Sequence, residues 1–152
     1  MVKKINIKSS IRNYEVNFIS HSKKILLNQI TDDDFLIIDE FFLKKKKIND
    51  IIKIKFNNII SIKANENSKE FSNLKKIIEE LLKKGIKKNS KIIGCGGGIT
   101  QDITAFISSI LFRGVEWIFL PTTLLAQGDS CIGSKSSINF GKYKNQVGGF
   151  YP

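Results

Sequence analysis

Three consecutive glycines stand where an apolar run meets a polar segment. Gly96, Gly97 and Gly98 follow the mostly apolar run 91–95, and Asp102 comes shortly afterwards. Residues without a Cβ let a backbone approach a phosphate closely, and the N-terminus of a following helix offers unpaired N–H groups and the positive end of its dipole. A carboxylate such as Asp102 can accept hydrogen bonds from a ribose. The pattern indicates either a diphosphate-binding turn or a structural tight turn, and the glycines alone do not separate the two.

A second group of polar residues follows the apolar run 116–120 and Pro121. A loop after the carboxyl end of a strand is where ligands bind in an open α/β sheet. Each lysine taken singly is also compatible with an ordinary surface cation, but lysines are scarce in this part of the chain and lie among small residues. The group offers hydroxyls, charge and donors that suit an oxygen-rich anionic substrate: Thr122, Thr123, Asp129, Lys135, Lys144 and Asn145.

Hydrophobic periodicity predicts the elements that position these groups. Alternation of apolar and polar residues predicts a half-buried strand over 14–19. Apolar runs predict buried strands over 35–39 and 91–95 and further strands over 59–63 and 116–120. Spacings of three and four predict helices over 22–30, 69–84 and 102–112. Strands that alternate with helices in this way favour one α/β domain with a mostly parallel sheet.

The net charge of +11 invites a nucleic-acid interpretation, which its distribution weakens. Residues 1–90 carry 20 basic and 11 acidic side chains, whereas residues 91–152 carry only 5 and 3. Arginine is nearly absent, and a nucleic-acid groove more usually interleaves arginine with aromatic platforms. We therefore expect no specific nucleic-acid partner and interpret the run 44–47 as a solvated helix face.

The sequence also bears on the cellular compartment of the protein. The longest apolar stretches, such as 103–112, are interrupted by polar residues and are shorter than the roughly 20 residues that cross a bilayer. The N-terminus lacks the apolar core of a secretory signal, and two distant cysteines indicate reduced thiols. These observations favour a cytoplasmic protein without a membrane partner.

The residues singled out above resemble the 3-dehydroquinate synthase family of NAD-dependent sugar-phosphate cyclases. The order of the motifs and the spacing from Lys135 to Lys144 both agree with the family pattern, most clearly over residues 91–152. The segments that carry the resemblance are 96–102, 112–115, 121–126, 129–135 and 144–145.

The resemblance implies a Rossmann-like NAD-binding domain over residues 1–152. In the family this domain is followed by a mainly helical one, whose Glu and two His bind zinc, cobalt or another divalent metal. The motif matches no metal ligand in this chain, and the single histidine, His21, lies outside it. We therefore expect the N-terminal part of an enzyme, inactive by itself.

The resemblance also implies a reaction and residue roles. The family oxidises a substrate hydroxyl with NAD, eliminates phosphate, returns the hydride and closes a carbocycle by aldol addition. Asp129, Lys135 and Asn145 are expected at the sugar-phosphate substrate, and Arg113 at the substrate phosphate of a neighbouring subunit in a homodimer. The positions expected to contact NAD are Asp39, Glu66, Lys69, Gly97, Gly98, Ile99, Thr100, Gln101, Asp102, Thr122, Thr123, Leu125, Lys135 and Lys144.

Several positions depart from the family pattern and leave the substrate open. Gln101 stands where the family usually has Gly, Ser134 replaces a Gly, Phe41 replaces a frequent Asn, and residues 139–143 differ from the usual loop. The last segment is more like cyclases that act on seven-carbon ketose phosphates. The remaining alternatives are a related metal-dependent glycerol-phosphate or alcohol dehydrogenase, an inert NAD-domain fragment, and a basic binding module.

Overall fold

A parallel sheet forms the centre of the molecule, as the computed structural model shows for residues 3–18 and 30–152. An antiparallel pair precedes it, β1 (Lys3–Ile7) and β2 (Tyr14–Phe18). The sheet contains β3 (Phe35–Asp39), β4 (Asn58–Ile62), β5 (Lys91–Gly96) and β6 (Glu116–Pro121) in the order β4-β3-β5-β6. A second antiparallel pair, β7 (Lys135–Phe140) and β8 (Tyr143–Phe150), follows it.

Helices connect the parallel strands. α1 (Glu40–Leu43) and α2 (Lys46–Lys55) join β3 to β4, α3 (Phe71–Lys83) joins β4 to β5, and α4 (Gly98–Ile110) joins β5 to β6. Short 3-10 turns at Glu66–Lys69 and Leu111–Arg113 flank the two longer helices, and a π-helical turn at Ala126–Ser130 precedes β7. No helix in the described ranges combines the length and apolar character that a membrane crossing requires.

The hydrophobic core lies on both faces of the sheet. Strand β3 is buried over its apolar length, and its alternate residues belong to two clusters. Phe35 and Ile37 pack with apolar side chains of α3 and α4, whereas Leu36 and Ile38 pack with Phe56 and the inner side chains of α1 and α2. A strand covered on both faces needs a continuous apolar run, which explains why residues 35–39 contain one.

The direction in which successive strands are added to the sheet changes between β3 and β5. The chain passes from β3 to β4 on one side, then crosses to β5 on the other side and continues outward to β6. Loops that leave β3 and β5 at their carboxyl ends therefore separate toward opposite faces, and such a switch point leaves a crevice for a ligand.

Most elements predicted from periodicity are confirmed, including all four parallel strands. The predicted helix 69–84 begins two residues later than expected because a 3-10 turn occupies its first residues, and Gly85 ends it with a φ of +83°. The strand predicted over 14–19 is observed over Tyr14–Phe18. Ile19, His21 and nearly all of the helix predicted over 22–30 lie outside the described residues.

Two predictions are wrong in detail. The helix predicted over 102–112 begins at Gly98 instead, because Gly97 is its N-cap and the third glycine already has helical geometry. The lysine run 44–47 is not one helix face, since Lys44 caps the end of α1 and Lys45 caps the start of α2. Strand β1 and the β7–β8 pair were not predicted.

Candidate functional site

A cleft of about 360 Å³ lies at the carboxyl ends of the parallel strands. Its walls come from the loops after β3, β4, β5 and β6, so it occupies the switch point of the sheet. A wider concavity along the β1–β2 hairpin is lined by residues of those two strands and the loop joining them. The switch-point cleft is lined by Asp39, Phe41, Phe42, Ala64, Gly97, Gly98, Ile99, Thr122 and Thr123.

The glycine turn forms the floor of this cleft. Gly97 caps α4 without a side-chain hydrogen bond, and the first bond within the helix runs from the N–H of Gln101 to the carbonyl of Gly97 at 3.0 Å. The N–H groups of Gly98 and Ile99 therefore precede the hydrogen-bonded part of the helix, at the positive end of its dipole. A Cβ at Gly98 would have only the Ser130 hydroxyl within 4 Å, at 3.9 Å. The turn fits a diphosphate.

The two threonines after β6 stand beside the glycine turn. The N–H of Thr122 donates to the carbonyl of Gly96 at 2.9 Å, which ties the two loops together. The hydroxyl of Thr123 accepts the N–H of Ala126 at 3.2 Å, and its methyl group lies 3.1 Å from where a Cβ at Gly97 would stand. These contacts bring Thr122 and Thr123 to the same cleft as Gly97 and Gly98, and the resemblance implies NAD contacts for all four residues.

Thr100 and Gln101, which the resemblance places at the cofactor, are buried. Thr100 is fully buried and packs against Gly96, where an added Cβ would lie 2.6 Å from the Thr100 Cβ. Gln101 is 2% exposed and its amide nitrogen donates to the carbonyl of Ser130. Helix α4 starts four residues earlier than predicted, so both residues lie in its first turn and face the strand and the π-helical turn.

A polar network joins four segments beside the cleft. The ammonium of Lys69 lies 2.7 Å from Oδ2 of Asp102 and 2.7 Å from Oδ1 of Asn145. The other carboxylate oxygen of Asp102 accepts the N–H of Ser137 at 3.0 Å. Lys69 is 4% exposed, so this cation is buried, whereas the side chain of Asp102 is 20% exposed and Asn145 is exposed. Three residues expected at the ligand therefore also bind one another.

The network continues through Asn139, which the sequence analysis did not single out as a site residue. Its amide nitrogen donates to the carbonyl and to Oε2 of Glu66, at 3.1 and 3.2 Å, and its oxygen accepts the N–H of Asn145 at 3.0 Å. Asn145 has a φ of +56°, a left-handed conformation that asparagine tolerates better than most residues. The sequence offered no local signal for this role, because β7 lacks a clear apolar alternation.

Other expected residues are solvent-exposed around the site. Leu125 is 73% exposed just before the π-helical turn that contains Asp129, Lys135 begins β7, and Lys144 lies on β8. Arg113 is exposed beyond the last turn of α4, so it lies about 20 Å from the glycine turn at 1.5 Å per helical residue. Within one chain the structure does not bring Arg113 to the cleft.

Cys95 lies one residue before the glycine turn. Burial raises the pKa of its thiol to about 11, and the negative charge of Asp39 acts in the same direction. The thiol is therefore protonated at neutral pH and is a poor nucleophile or metal ligand. The described residues contain no group of three or more His, Cys, Asp or Glu that could hold a metal ion.

The family model of the 3-dehydroquinate synthase N-terminal domain matches residues 59–152, more than half of the chain. The chain belongs to the 3-dehydroquinate synthase family. It is 36% identical over 133 residues to a 3-dehydroquinate synthase of Alkaliphilus metalliredigens, which covers 88% of this chain and 35% of that protein. It is 41% identical over 130 residues to one of Dictyoglomus thermophilum, covering 85% and 36%. The chain thus spans about a third of these relatives.

Solved structures extend the likeness to the described fold. The chain superposes on 2-deoxy-scyllo-inosose synthase with a TM-score of 0.82 and 26% identity, over 99% of this chain and 45% of that one. A crystal structure of a 2-deoxy-scyllo-inosose synthase complexed with carbaglucose-6-phosphate, NAD+ and Co2+ gives a TM-score of 0.80 and 25% identity, over 99% and 43%. The α/β fold with a parallel sheet is thereby that of sugar-phosphate cyclases.

Proposed function

We propose that residues 1–152 form the NAD-binding part of a phosphate-eliminating cyclase, with 3-dehydroquinate synthase as the leading activity. The observation that carries the proposal is the cleft at the switch point, where the glycine turn, the start of α4 and Asp39 meet. A diphosphate bound at Gly97 and Gly98 places the two halves of a dinucleotide over β3 and β6. The NAD+ in a related cyclase structure supports this assignment.

NAD would supply the reversible oxidation of a substrate hydroxyl, and residues of this chain would bind and orient the sugar phosphate. Asp129 and Lys135 stand on consecutive segments after β6, whereas Asn145 lies toward the other end of the β7–β8 pair, where it accepts from Lys69. A lysine ammonium next to an oxygen that gains negative charge lowers the cost of that charge. We assign this role to Lys135, with Asp129 and Asn145 as substrate contacts and Lys144 on the cofactor side.

Two parts of the proposed active site, the metal ion and the contact of Arg113 with a substrate phosphate, need groups that the described residues of one chain do not supply. The described residues do not fit a metal site, so a divalent ion would need ligands outside them. Arg113 is remote from the cleft of its own chain, and its proposed role at a substrate phosphate requires a second subunit. We therefore expect the 152-residue chain to bind NAD without releasing phosphate from a heptulosonate phosphate, with or without added zinc or cobalt.

Calorimetric titration of the chain with NAD tests the cofactor site. Gly98→Val should remove NAD binding, because the valine side chain would occupy the space proposed for the diphosphate. The protein itself should tolerate the change, since only one protein atom lies near the added Cβ. Gly149→Val is the matched control, since Gly149 also has open space around it but lies on β8. Unchanged affinity in Gly98→Val, or absence of binding in the original chain, would overturn the proposed site.

A further inference from the structure

We propose that the ring of Phe41 is the platform on which the purine base of the dinucleotide stacks. The consequence is that this chain holds the base by its π-face and reads its hydrogen-bonding edge weakly. The inference rests on the proposed NAD site and adds a residue that contacts the purine base without selecting one purine over another.

The position of Phe41 is the first support. The residue follows Asp39 by two positions at the carboxyl end of β3, lines the cleft, and leaves 54% of its surface exposed. An aromatic ring that is half exposed in a cleft lined by polar backbone groups leaves apolar surface in contact with solvent. A planar ligand ring covers such a surface with little loss of conformational freedom.

The ring is also held in place from its other sides. Phe42 meets it edge to face, with 5.4 Å between ring centroids and an interplanar angle of 84°, and Phe42 packs against the core cluster of β3. The ammonium of Lys45 lies 4.7 Å from the Phe41 centroid. Phe41 is still 54% exposed, which leaves area for a base, and a ring held by two neighbours loses less entropy on binding.

The neighbouring groups match the rest of a nucleoside. Oδ1 of Asp39 accepts the N–H of Phe41 at 3.1 Å, which leaves Oδ2 to accept a hydrogen bond from a ribose hydroxyl. The glycine turn lies across the same cleft for the diphosphate. Since β3 and β6 flank β5 on opposite sides, the nucleoside over β3 is the one that meets Phe41, and Thr122 and Thr123 meet the other.

Stacking on Phe41 predicts weak discrimination between different purine bases. A phenylalanine ring has no donor or acceptor for the amino group of adenine, whereas every purine has a π-face. We therefore expect NAD and its hypoxanthine analogue to bind the 152-residue chain with dissociation constants within about threefold of each other. A polar side chain at this position would separate the two ligands.

Calorimetric titration of three variants with both dinucleotides tests the inference. Phe41→Leu should weaken both ligands by about tenfold, since base stacking on an aromatic side chain is lost, while Phe41→Trp should bind both at least as tightly as the original chain. Phe18→Leu is the matched control, because Phe18 is 50% exposed on β2, outside the cleft, and its replacement should change neither affinity. Saturation-transfer NMR should show that Phe41→Leu loses transfer to the purine protons and keeps transfer to the nicotinamide protons.

The outcomes separate this inference from the proposed function. If NAD binds and Phe41→Leu binds it equally well, or if the original chain discriminates between the two bases by more than tenfold, the stacking platform is wrong and the NAD site stands. If the original chain does not bind NAD, both are wrong.

Discussion

The ammonium of Lys69 lies 2.7 Å from Oδ2 of Asp102, although 33 positions separate the two residues in the chain. The lysine comes from the 3-10 turn before α3 and the aspartate from the second turn of α4. Asn145 of β8 accepts from the same ammonium, so one buried cation holds two helical segments and the β7–β8 pair together beside the cleft.

Replacement of Lys69 should destabilise the fold. Lys69→Met leaves the Asp102 carboxylate without its cation while the side chain of Asp102 remains 20% exposed, and the loss should be on the order of 3 kcal/mol in the free energy of unfolding by urea. Adding Asp102→Asn should recover part of this loss, because the amide oxygen still accepts the Ser137 N–H without a net charge. Lys75→Met, at a lysine that is 74% exposed, should cost less than about 1 kcal/mol. Equal losses for the two lysines would contradict a stabilising role of the network.

Gly148 and Gly149 should respond very differently to the same substitution. A Cβ at Gly148 would stand 2.8 Å from the carbonyl carbon of Ser136 on the paired strand, whereas one at Gly149 would meet nothing within 4 Å. Gly148→Ala should therefore cost about 3 kcal/mol because a backbone atom cannot yield without separating β7 from β8, and Gly149→Ala should change stability by less than about 0.5 kcal/mol. Thermal unfolding monitored by circular dichroism compares them, and similar melting temperatures would contradict the close approach of the two strands.

Gly94 should be required for the close packing of α4 against β5. A Cβ there would lie 2.6 Å from the hydroxyl and 3.0 Å from the Cβ of Thr104. Gly94→Ala should cost about 2 kcal/mol through overpacking. Thr104→Ala in the same chain should recover part of that cost because it removes the hydroxyl and the methyl group, a coupling that a double-mutant cycle measures. Purely additive effects would show that the helix is not seated through this pair.

Alkylation of Cys95 should be slow at neutral pH. The thiolate is the reactive form, and burial, followed by the charge of Asp39, raises the pKa of this thiol to about 11. In a Cys131→Ser chain, the rate with iodoacetamide should still rise with each pH unit from 7 to 10. Asp39→Asn should leave most of that pH dependence, since burial is the larger cause. A plateau of the rate near pH 9 would contradict the raised pKa.

The parallel strands and the glycine turn were predictable from local patterns. A strand buried on both faces requires a continuous apolar run, as in residues 35–39, and an amphipathic helix requires spacings of three and four, as in α3. The turn at residues 96–98 was predictable because glycine is required where a backbone must pass close to another group.

The orientation of individual side chains was not predictable in the same way. Each residue of a helix is rotated by about 100° from the one before, so the earlier start of α4 at Gly98 changes which residues face the cleft. Thr100 and Gln101, which the family resemblance places at the cofactor, lie in the first turn of that helix and are buried. The β7–β8 pair was missed because its polar and glycine-rich strands lack a clear apolar alternation.

Sequence by itself determined that this chain forms a parallel α/β sheet with a glycine turn after a buried strand, because apolar runs, helical periodicity and glycine position are local properties of the chain. Only the tertiary structure decided that Lys69 meets Asp102 and Asn145, and that Phe41 lines the same cleft as Gly97. Those contacts depend on the order of the strands in the sheet. The strand order places the carboxyl ends of β3 and β5 side by side, and residues far apart along the chain meet there.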